Sequence, residues 1–330
     1  MSTTYFTVSD ARFFTGTVAL VNSLRLTGNS GRIVVLDLGL SPEQRERLGR
    51  EVDFASMPEG VENVAVLCKP FPALLELTGN VVVIDGDMVV TRSLDPILER
   101  AAAGEVCLFS DIPAQRDRWF AEWEQAFELS APPRRQPYVN AGFLAYSADR
   151  WPDLMQRWWD ACTKVPEGAG MGQGGTYDQP FWAADQDALN ALLMSEVPEQ
   201  AVVGLPEEEG PSAELLPKVR VLDERTLRCE LDGYSPYLLH YWGSPKPWER
   251  KAWMRVAPDA YVRLLSRVLL EPDAPVPIAP DELPPWLRPG AAQTASLRAL
   301  GGVNRTARAA LQRVPPSARM RLGRLVRSFG

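Results

Sequence analysis

Two groups of residues in this sequence have the types and spacing to do chemistry. The first follows four apolar residues, Val81-Val82-Val83-Ile84, and consists of Asp85, Gly86 and Asp87. A buried strand ending there would set two carboxylates at its mouth, and Gly86 would allow close backbone approach. Paired carboxylates suit Mn²⁺ or Mg²⁺, which take oxygen ligands and leave positions open for phosphate. The same string also reads as a hairpin, because Asp-Gly between two valine runs favours a type I′ turn. The second group lies within 238–248 and holds the only histidine, His240, with Lys246 six positions later. A lone histidine is often structural, but a neutral imidazole is also a metal ligand, and Lys is a phosphate partner. Between them, Gly243 lets backbone N–H groups approach an anion. Pro245 and Pro247 hold the chain extended, which gives Lys246 a fixed direction.

The elements that must carry these groups alternate between strand and helix patterns. Tyr5–Val8 reads as a strand, Gly16–Leu26 as a helix and Arg32–Leu38 as a β-branched strand. Ser41-Pro42-Glu43 has the residues of a helix start: a capping Ser, Pro at the first position and an acid in the first turn. Val64–Cys68 reads as a third strand, Ala73–Leu77 as a helix and Val81–Ile84 as a fourth strand. This order predicts an α/β fold with a mainly parallel sheet covered by helices. Ligands of such sheets bind beyond the carboxyl ends of the strands, where Asp85 and Asp87 stand.

Four segments, in order, resemble glycosyltransferase family 8, which includes glycogenin and bacterial lipopolysaccharide galactosyl- and glucosyltransferases. They are Asp85-Gly86-Asp87 after an apolar strand, Tyr138-Val139-Asn140-Ala141-Gly142, Asp185-Gln186-Asp187-Ala188-Leu189-Asn190, and the His240, Gly243, Lys246-Pro247-Trp248 pattern. The N-terminal segments at 5–10, 19–24 and 39–44 fit as well, so the likeness spans residues 5–250. It implies a GT-A fold, a Rossmann-like mainly parallel mixed sheet flanked by helices. It implies transfer of a hexose, with retention, from a nucleotide diphosphate sugar, usually UDP-linked. By the same resemblance Asp85, Asp87 and His240 would bind Mn²⁺ or Mg²⁺. Gly243 and Lys246 would face the donor diphosphate, with Lys69 a further basic residue toward the donor. Asn140, Asp185 and Gln186 would surround the donor sugar and acceptor, and Asp185, Gln186 and Lys246 would carry the catalysis. The first loop departs from the family pattern: it reads Ser9-Asp10-Ala11-Arg12-Phe13, leaving Asp10 for the base and Phe13 to stack on it. Gln186 is a poor nucleophile, which favours front-face attack over double displacement.

Two other readings compete. Asp85-Gly86-Asp87 also resembles the first motif of haloacid-dehalogenase phosphatases, but Met88-Val89 stands where that family has Gly-Thr. A sugar-nucleotide-binding module without catalysis is the third reading. The helix stripe Ala188, Leu189, Leu192 and Leu193 can simply pack on a sheet. The tryptophans of the middle region read mainly as core. The glycine-rich stretch at 166–175 is a connector or a lid and lacks the Gly-Lys-Ser/Thr of a phosphate loop.

Composition bounds the partners. The chain has 330 residues, 45% apolar and 23% charged, with a net charge of −7, which is ordinary globular composition and argues against nucleic-acid binding. The charge is unevenly distributed. Residues 289–330 contain eight Arg and no acid, so the remainder has 27 basic against 42 acidic residues, or −15. Seven prolines fall within 272–289, which reads as a stiff linker. The expected organisation is a GT-A domain over 1–271, a linker over 272–289 and an Arg-rich amphipathic helical tail over 290–330. Such a tail suits an anionic membrane surface, or docking on the acidic body. Four cysteines without CxxC spacing, no long apolar run and no signal-like start point to a cytoplasmic protein, peripheral on the inner membrane face if the tail binds there. The acceptor would be a glycan, a lipid-linked sugar or a small molecule.

Overall fold

The computed structural model describes residues 1–299 apart from 62–63, 114, 171–176, 213, 255, 257–258, 289, 291–294 and 297–298. In chain order the first half contains β1 (Thr3–Ser9), α1 (Phe14–Leu26), β2 (Arg32–Asp37), α2 (Pro42–Leu48), β3 (Asp53–Ser56), α3 (Val64–Leu67), β4 (Asn80–Ile84), β5 (Met88–Val90) and α4 (Asp95–Ala102). It continues with β6 (Val106–Ser110), α5 (Glu122–Ala126), β7 (Val139–Ser147), α6 (Leu154–Thr163), α7 (Asp185–Ser195), β8 (Val202–Leu205), β9 (Arg220–Asp223), β10 (Arg228–Glu230), β11 (Leu238–His240) and α8 (Ala260–Leu270).

Seven strands form one sheet in the order β3-β2-β1-β4-β7-β6-β8. Only β7 runs antiparallel, to both β4 and β6. The expected mixed, mainly parallel sheet is therefore present. All five residues of β4 are buried, as expected for a strand covered on both faces. Its alternate residues feed two cores: Val82 and Ile84 join α1 and α8 on one face, while Val81 and Val83 join α6 and α7 on the other. Trp123 and Trp158 are fully buried in the second core, with Trp119, Trp151 and Trp159 packed at its edge.

Three sequence readings are corrected. The apolar run at 64–68 forms helix α3, and the third strand is instead Asp53–Ser56. A short apolar run does not distinguish a strand from a buried helix turn, and β3 is a half-exposed edge strand with no apolar run of its own. The expected helix at 73–77 is a single 3₁₀ turn at Phe71–Leu74, with Pro70 at its cap and Pro72 in its first turn. The Ser41 helix start forms as expected. Ser41 Oγ accepts from Gln44 N–H, and the Gln44 side chain accepts from Ser41 N–H, a reciprocal capping box. The hairpin reading of Asp85-Gly86-Asp87 fails, because β5 pairs with β11 and not with β4.

The proline-rich segment is not a free linker over its described part. Ala274, Val276, Ile278, Leu283, Trp286 and Leu287 are buried. The segment runs back over α1 and α8 as a strap. Asn22 of α1 donates to Val268 and Val276 carbonyls at 3.0 and 2.9 Å and accepts from Val276 N–H at 3.0 Å. Trp286 Nε1 donates to the Pro247 carbonyl at 2.7 Å. Asn22→Ala leaves three buried backbone groups without these bonds. It is expected to cost about 2 kcal/mol, seen as a lower denaturant midpoint with an unchanged slope.

The expected Arg-rich helical tail lies almost wholly outside the described residues, as does the second half of the glycine-rich stretch. Among the described residues no helix is long and apolar enough to cross a membrane. All four cysteines are buried.

Candidate active site

The sheet order reverses between β1 and β4. Strands β2 and β3 lie on one side of β1, and the later strands lie on the other. A crevice opens at such a switch point, outside the carboxyl ends of the strands. Asp10 follows β1 there, and Asp85 and Asp87 follow β4. The reversed strand β7 brings its start, Val139 to Gly142, to the same edge.

That start is a bulge. Between Leu108 and Phe109 of β6 the pairing partner jumps from Leu144 to Asn140. The unpaired backbone finds other partners, as buried polar groups must. Ala141 N–H donates to Gln186 Oε1 at 2.9 Å, and Gly142 N–H donates to Asn140 Oδ1 at 2.8 Å. The Gly142 carbonyl accepts from Asp85 N–H at 2.8 Å, which ties the bulge to the loop of Asp85 and Asp87. Asn190, one turn after Gln186 on α7, brackets Val139 by accepting from its N–H and donating to its carbonyl, both at 2.9 Å.

Helix α7 starts beside the bulge. Ala184 precedes it with φ +47°, a left-handed conformation that costs energy for a residue with a Cβ. This turn delivers Asp185 and Gln186 to the crevice. Trp158 Nε1 anchors the Asp185 carbonyl at 2.9 Å.

The ionisable groups form one cluster. Lys69 Nζ lies 3.2 Å from Asp85 Oδ2 and 3.4 Å from Asp185 Oδ2. Burial pulls the Lys69 ammonium down, but Asp85 and Asp185 outweigh it and hold its pKa above the usual lysine value. Burial raises the Asp85 carboxyl, against the opposing charge of Lys69. Lys246 Nζ donates to Asp87 Oδ2 at 2.5 Å and to the Tyr241 carbonyl at 2.9 Å. Burial would also raise Asp87, but His240 and Lys246 reverse the effect and hold it well below the usual carboxylate range. The backbone of this loop is fixed from α8, where Tyr261 OH donates to the Asp87 carbonyl at 2.8 Å.

Asp85, Asp87 and His240 each offer one ligand atom, and these atoms lie within 4.8 Å of one another. Asp87 Oδ1 and His240 Nε2 are 3.3 Å apart. Both atoms are buried, and neither makes a hydrogen bond. Buried polar atoms without partners are rare in folded chains. Two oxygen donors and one imidazole nitrogen, two of them unsatisfied, fit a hard or borderline divalent cation such as Mn²⁺ or Mg²⁺. Gly142 makes room for the trio. A Cβ there would lie 2.8 Å from Asp85 Oδ2 and 2.9 Å from His240 Cε1. Gly142→Ala is therefore expected to weaken Mn²⁺ binding by at least tenfold, read by titration calorimetry, while the far-ultraviolet dichroism stays native.

The other expected site residues are placed as follows. Asn140 caps the bulge, as above. Gln186 is buried, and its Nε2 donates to Asp111 Oδ2 at 2.6 Å. Both ends of its amide are thus engaged by the protein. Asp10 Oδ1 accepts from Arg12 and Phe13 N–H groups and so closes its own turn. Phe13 lies 5.4 Å beneath Lys246 Nζ and edge-on to Trp248. The first loop is latched to the segment after Gly243: Trp248 Nε1 donates to the Arg12 carbonyl, and Arg12 pairs with Glu249, each at 2.8 Å. Gly243 itself lies in the turn joining His240 to Lys246, with a Cβ position 3.3 Å from the Tyr241 ring. Lys69, Asp85, Asp87, Asp185, His240, Lys246 and Phe13 are thus in one continuous network, with Gln186 and Asn140 at its border. Asp10 reaches that network through Phe13, whose N–H its carboxylate accepts at 2.8 Å.

Asp111, Tyr261 and Glu249 were missed in the sequence. Asp111 had a signal, because it directly follows β6, whose apolar run ends one residue earlier, as Asp85 follows β4. Tyr261 and Glu249 had none.

No protein-family model matches the chain, and no curated protein matches it. Solved structures do. The bifunctional glycosyltransferase WbbM shares 18% identity at a TM-score of 0.53, over 82% of this chain and 50% of WbbM. The chain thus spans half the length of that protein. The galactosyltransferase LgtC, solved in complex with donor and acceptor sugar analogs, shares 18% identity at a TM-score of 0.51, over 82% of this chain and 98% of LgtC. The glycosyltransferase GlyE of Streptococcus pneumoniae TIGR4 shares 13% identity at a TM-score of 0.50, covering 82% of this chain and 61% of GlyE. At these identities the likeness is one of fold. With β1 to β4 parallel, β7 reversed and the acidic pair at the switch point, the chain has the GT-A glycosyltransferase fold that its resemblance to glycosyltransferase family 8 implied.

Proposed function

We propose that the chain is a retaining, divalent-metal-dependent hexosyltransferase that uses a nucleotide diphosphate sugar, UDP-linked, as donor. The observation that carries this reading is the buried pair of unsatisfied atoms, Asp87 Oδ1 and His240 Nε2, beside Asp85 at the switch point of a GT-A sheet. Asp85, Asp87 and His240 would hold Mn²⁺ or Mg²⁺. When bound, the ion supplies positive charge against the diphosphate leaving group.

The chain's own residues do the rest. Lys246 and Lys69 place two ammonium groups in a largely water-excluded crevice, where they act on developing negative charge more strongly than in water. Glu249 fixes Lys246 by accepting from its backbone N–H at 3.0 Å. The anomeric carbon becomes positive in the transition state. Asp185, paired to Lys69, and the oriented dipole of Gln186 are the groups at hand to face it. Both ends of the Gln186 amide are committed, to Ala141 N–H and to Asp111, so it serves as a fixed dipole rather than a nucleophile. This supports front-face attack, with the departing phosphate taking the acceptor proton. Phe13 and Asp10 line the side of the crevice left for the base and ribose. The acceptor is a glycan, a lipid-linked sugar or a small molecule, and the Arg-rich tail would bring the enzyme to an anionic membrane surface.

The test is incubation with a panel of UDP-sugars and Mn²⁺, following nucleoside diphosphate release and the anomeric configuration of the product by NMR. Release that stops in EDTA and an unchanged anomeric configuration are expected. Release undiminished by EDTA removes the metal from the reading. Hydrolysis of simple phosphomonoesters in place of transfer favours a phosphatase. Sedimentation with anionic liposomes, with and without residues 290–330, tests the tail.

A further inference from the structure

Lys246 holds a position that the diphosphate role does not explain. Its ammonium is already engaged by the protein's own groups. It lies 2.5 Å from Asp87 Oδ2 and 2.9 Å from the Tyr241 carbonyl, with its side chain 11% exposed. The Phe13 ring lies under it at 5.4 Å. Its backbone is pinned by Glu249. A single positive charge thus sits on one oxygen of a carboxylate whose other oxygen, Oδ1, faces His240 without a hydrogen bond.

On the metal reading above, we propose that Lys246 is the resident counter-cation of the metal-free site, and that it competes with the divalent ion until a diphosphate draws it away. Two cations cannot share the Asp87 carboxylate without repulsion, and the crevice has little water to screen them. The metal alone must therefore bind against the Lys246 charge. A bound diphosphate gives the ammonium a second partner of higher charge and removes the repulsion. Metal and nucleotide then raise one another's affinity by the same factor, as linkage requires. Lys69 is the internal comparison. It is also an ammonium near a ligand carboxylate, but it is shared between Asp85 and Asp185. Removing it lowers the local positive charge without freeing Asp87.

The experiment measures Mn²⁺ affinity by the loss of the free-ion electron paramagnetic resonance signal, with and without UDP. It compares the full-length protein with Lys246→Met, Lys246→Gln and Lys69→Met. The Gln variant keeps a hydrogen-bond donor toward Asp87 and the Tyr241 carbonyl, so it provides a folded neutral form if the Met variant does not fold. For wild type, UDP should tighten Mn²⁺ binding by at least tenfold. In the Lys246 variants Mn²⁺ alone should bind about tenfold more tightly than in wild type, and the UDP effect should shrink to a few-fold. Lys69→Met should retain the wild-type ratio between the two conditions. Equal Mn²⁺ affinity in wild type and both Lys246 variants without UDP overturns the inference and leaves the metal reading standing. Absence of Mn²⁺ binding by wild type even with UDP overturns both.

Discussion

Asp87→Ala is expected to lower nucleotide-sugar cleavage by at least 10²–10³-fold, or about 3–4 kcal/mol of transition-state stabilisation. Asp87 supplies one of the two buried atoms that lack a hydrogen bond in the cluster, and it sits between His240 and Lys246. Its loss removes a ligand and also leaves Lys246 buried without its carboxylate. Removing one partner of a buried pair typically costs roughly 3–5 kcal/mol, so the Ala variant should also melt earlier in chelator. Asp87→Asn separates the two effects, because it keeps the volume and an oxygen acceptor for Lys246. The Asn variant should lose most activity and Mn²⁺ affinity with a much smaller fall in melting temperature. Activity within threefold of wild type in Asp87→Asn would contradict the assignment.

The second large effect lies outside the crevice, at Arg118 and Asp187. Their side chains are 1% and 0% exposed. The pair is bidentate, Nε to Oδ1 at 2.6 Å and Nη2 to Oδ2 at 2.8 Å. Asp187 also accepts from Tyr138 OH at 2.8 Å and from Ala183 N–H at 2.7 Å. Arg118 donates onward to the carbonyls of Tyr177 and Gln179. Every element of the pair is thus tied into α7, the approach to β7 or the 177–179 segment. Arg118→Ala leaves a carboxylate buried without its charge partner and should destabilise the fold by roughly 3–5 kcal/mol. Arg118→Met combined with Asp187→Leu should recover part of that loss, since it removes both charges and keeps apolar volume. Urea unfolding of the three proteins decides the matter. An Arg118→Ala loss under about 1 kcal/mol would show that the pair contributes little.

The same residues mark the boundary of what could be read from the chain. The candidate metal trio was legible because its chemistry is local: a pure apolar run ends in two carboxylates, and the only histidine precedes a proline-flanked lysine. The strands β1, β2 and β4 were legible for the same reason, and α2 was legible from its cap. The roles of Gln186 and Asn190 were not. Their i, i+4 spacing shows one helix face, but the β7 bulge that they fill exists only through the mismatch with β6. Nor did the residues alone show that β7 runs backwards, because strand direction is set by topology and leaves no periodic trace. Val64–Cys68 misled because five apolar residues satisfy a strand and a helix turn alike. The prolines of 272–289 suggested a stiff linker and gave no sign of the burial seen in its described part. Ala274, Val276, Ile278 and Trp286 alternate with them closely enough to cover α1 and α8.

That strap bears on when the candidate site becomes complete during synthesis of the chain. Lys246 stands after Pro245 and before Pro247, and the Pro247 carbonyl is held by Trp286. Helix α1, near the start of the chain, is bonded to Val276. The two ends of the domain therefore close on each other across its whole length. A nascent chain that has released Asp85, Asp87 and His240 from the ribosome still lacks the strap that steadies the lysine loop. At typical elongation rates of about 5–20 residues per second, that interval lasts a few seconds. During it, the acidic crevice is exposed beside an unfinished core. Chains stalled or cleaved before 288 should accordingly be retained by chaperones rather than accumulate as metal-binding fragments.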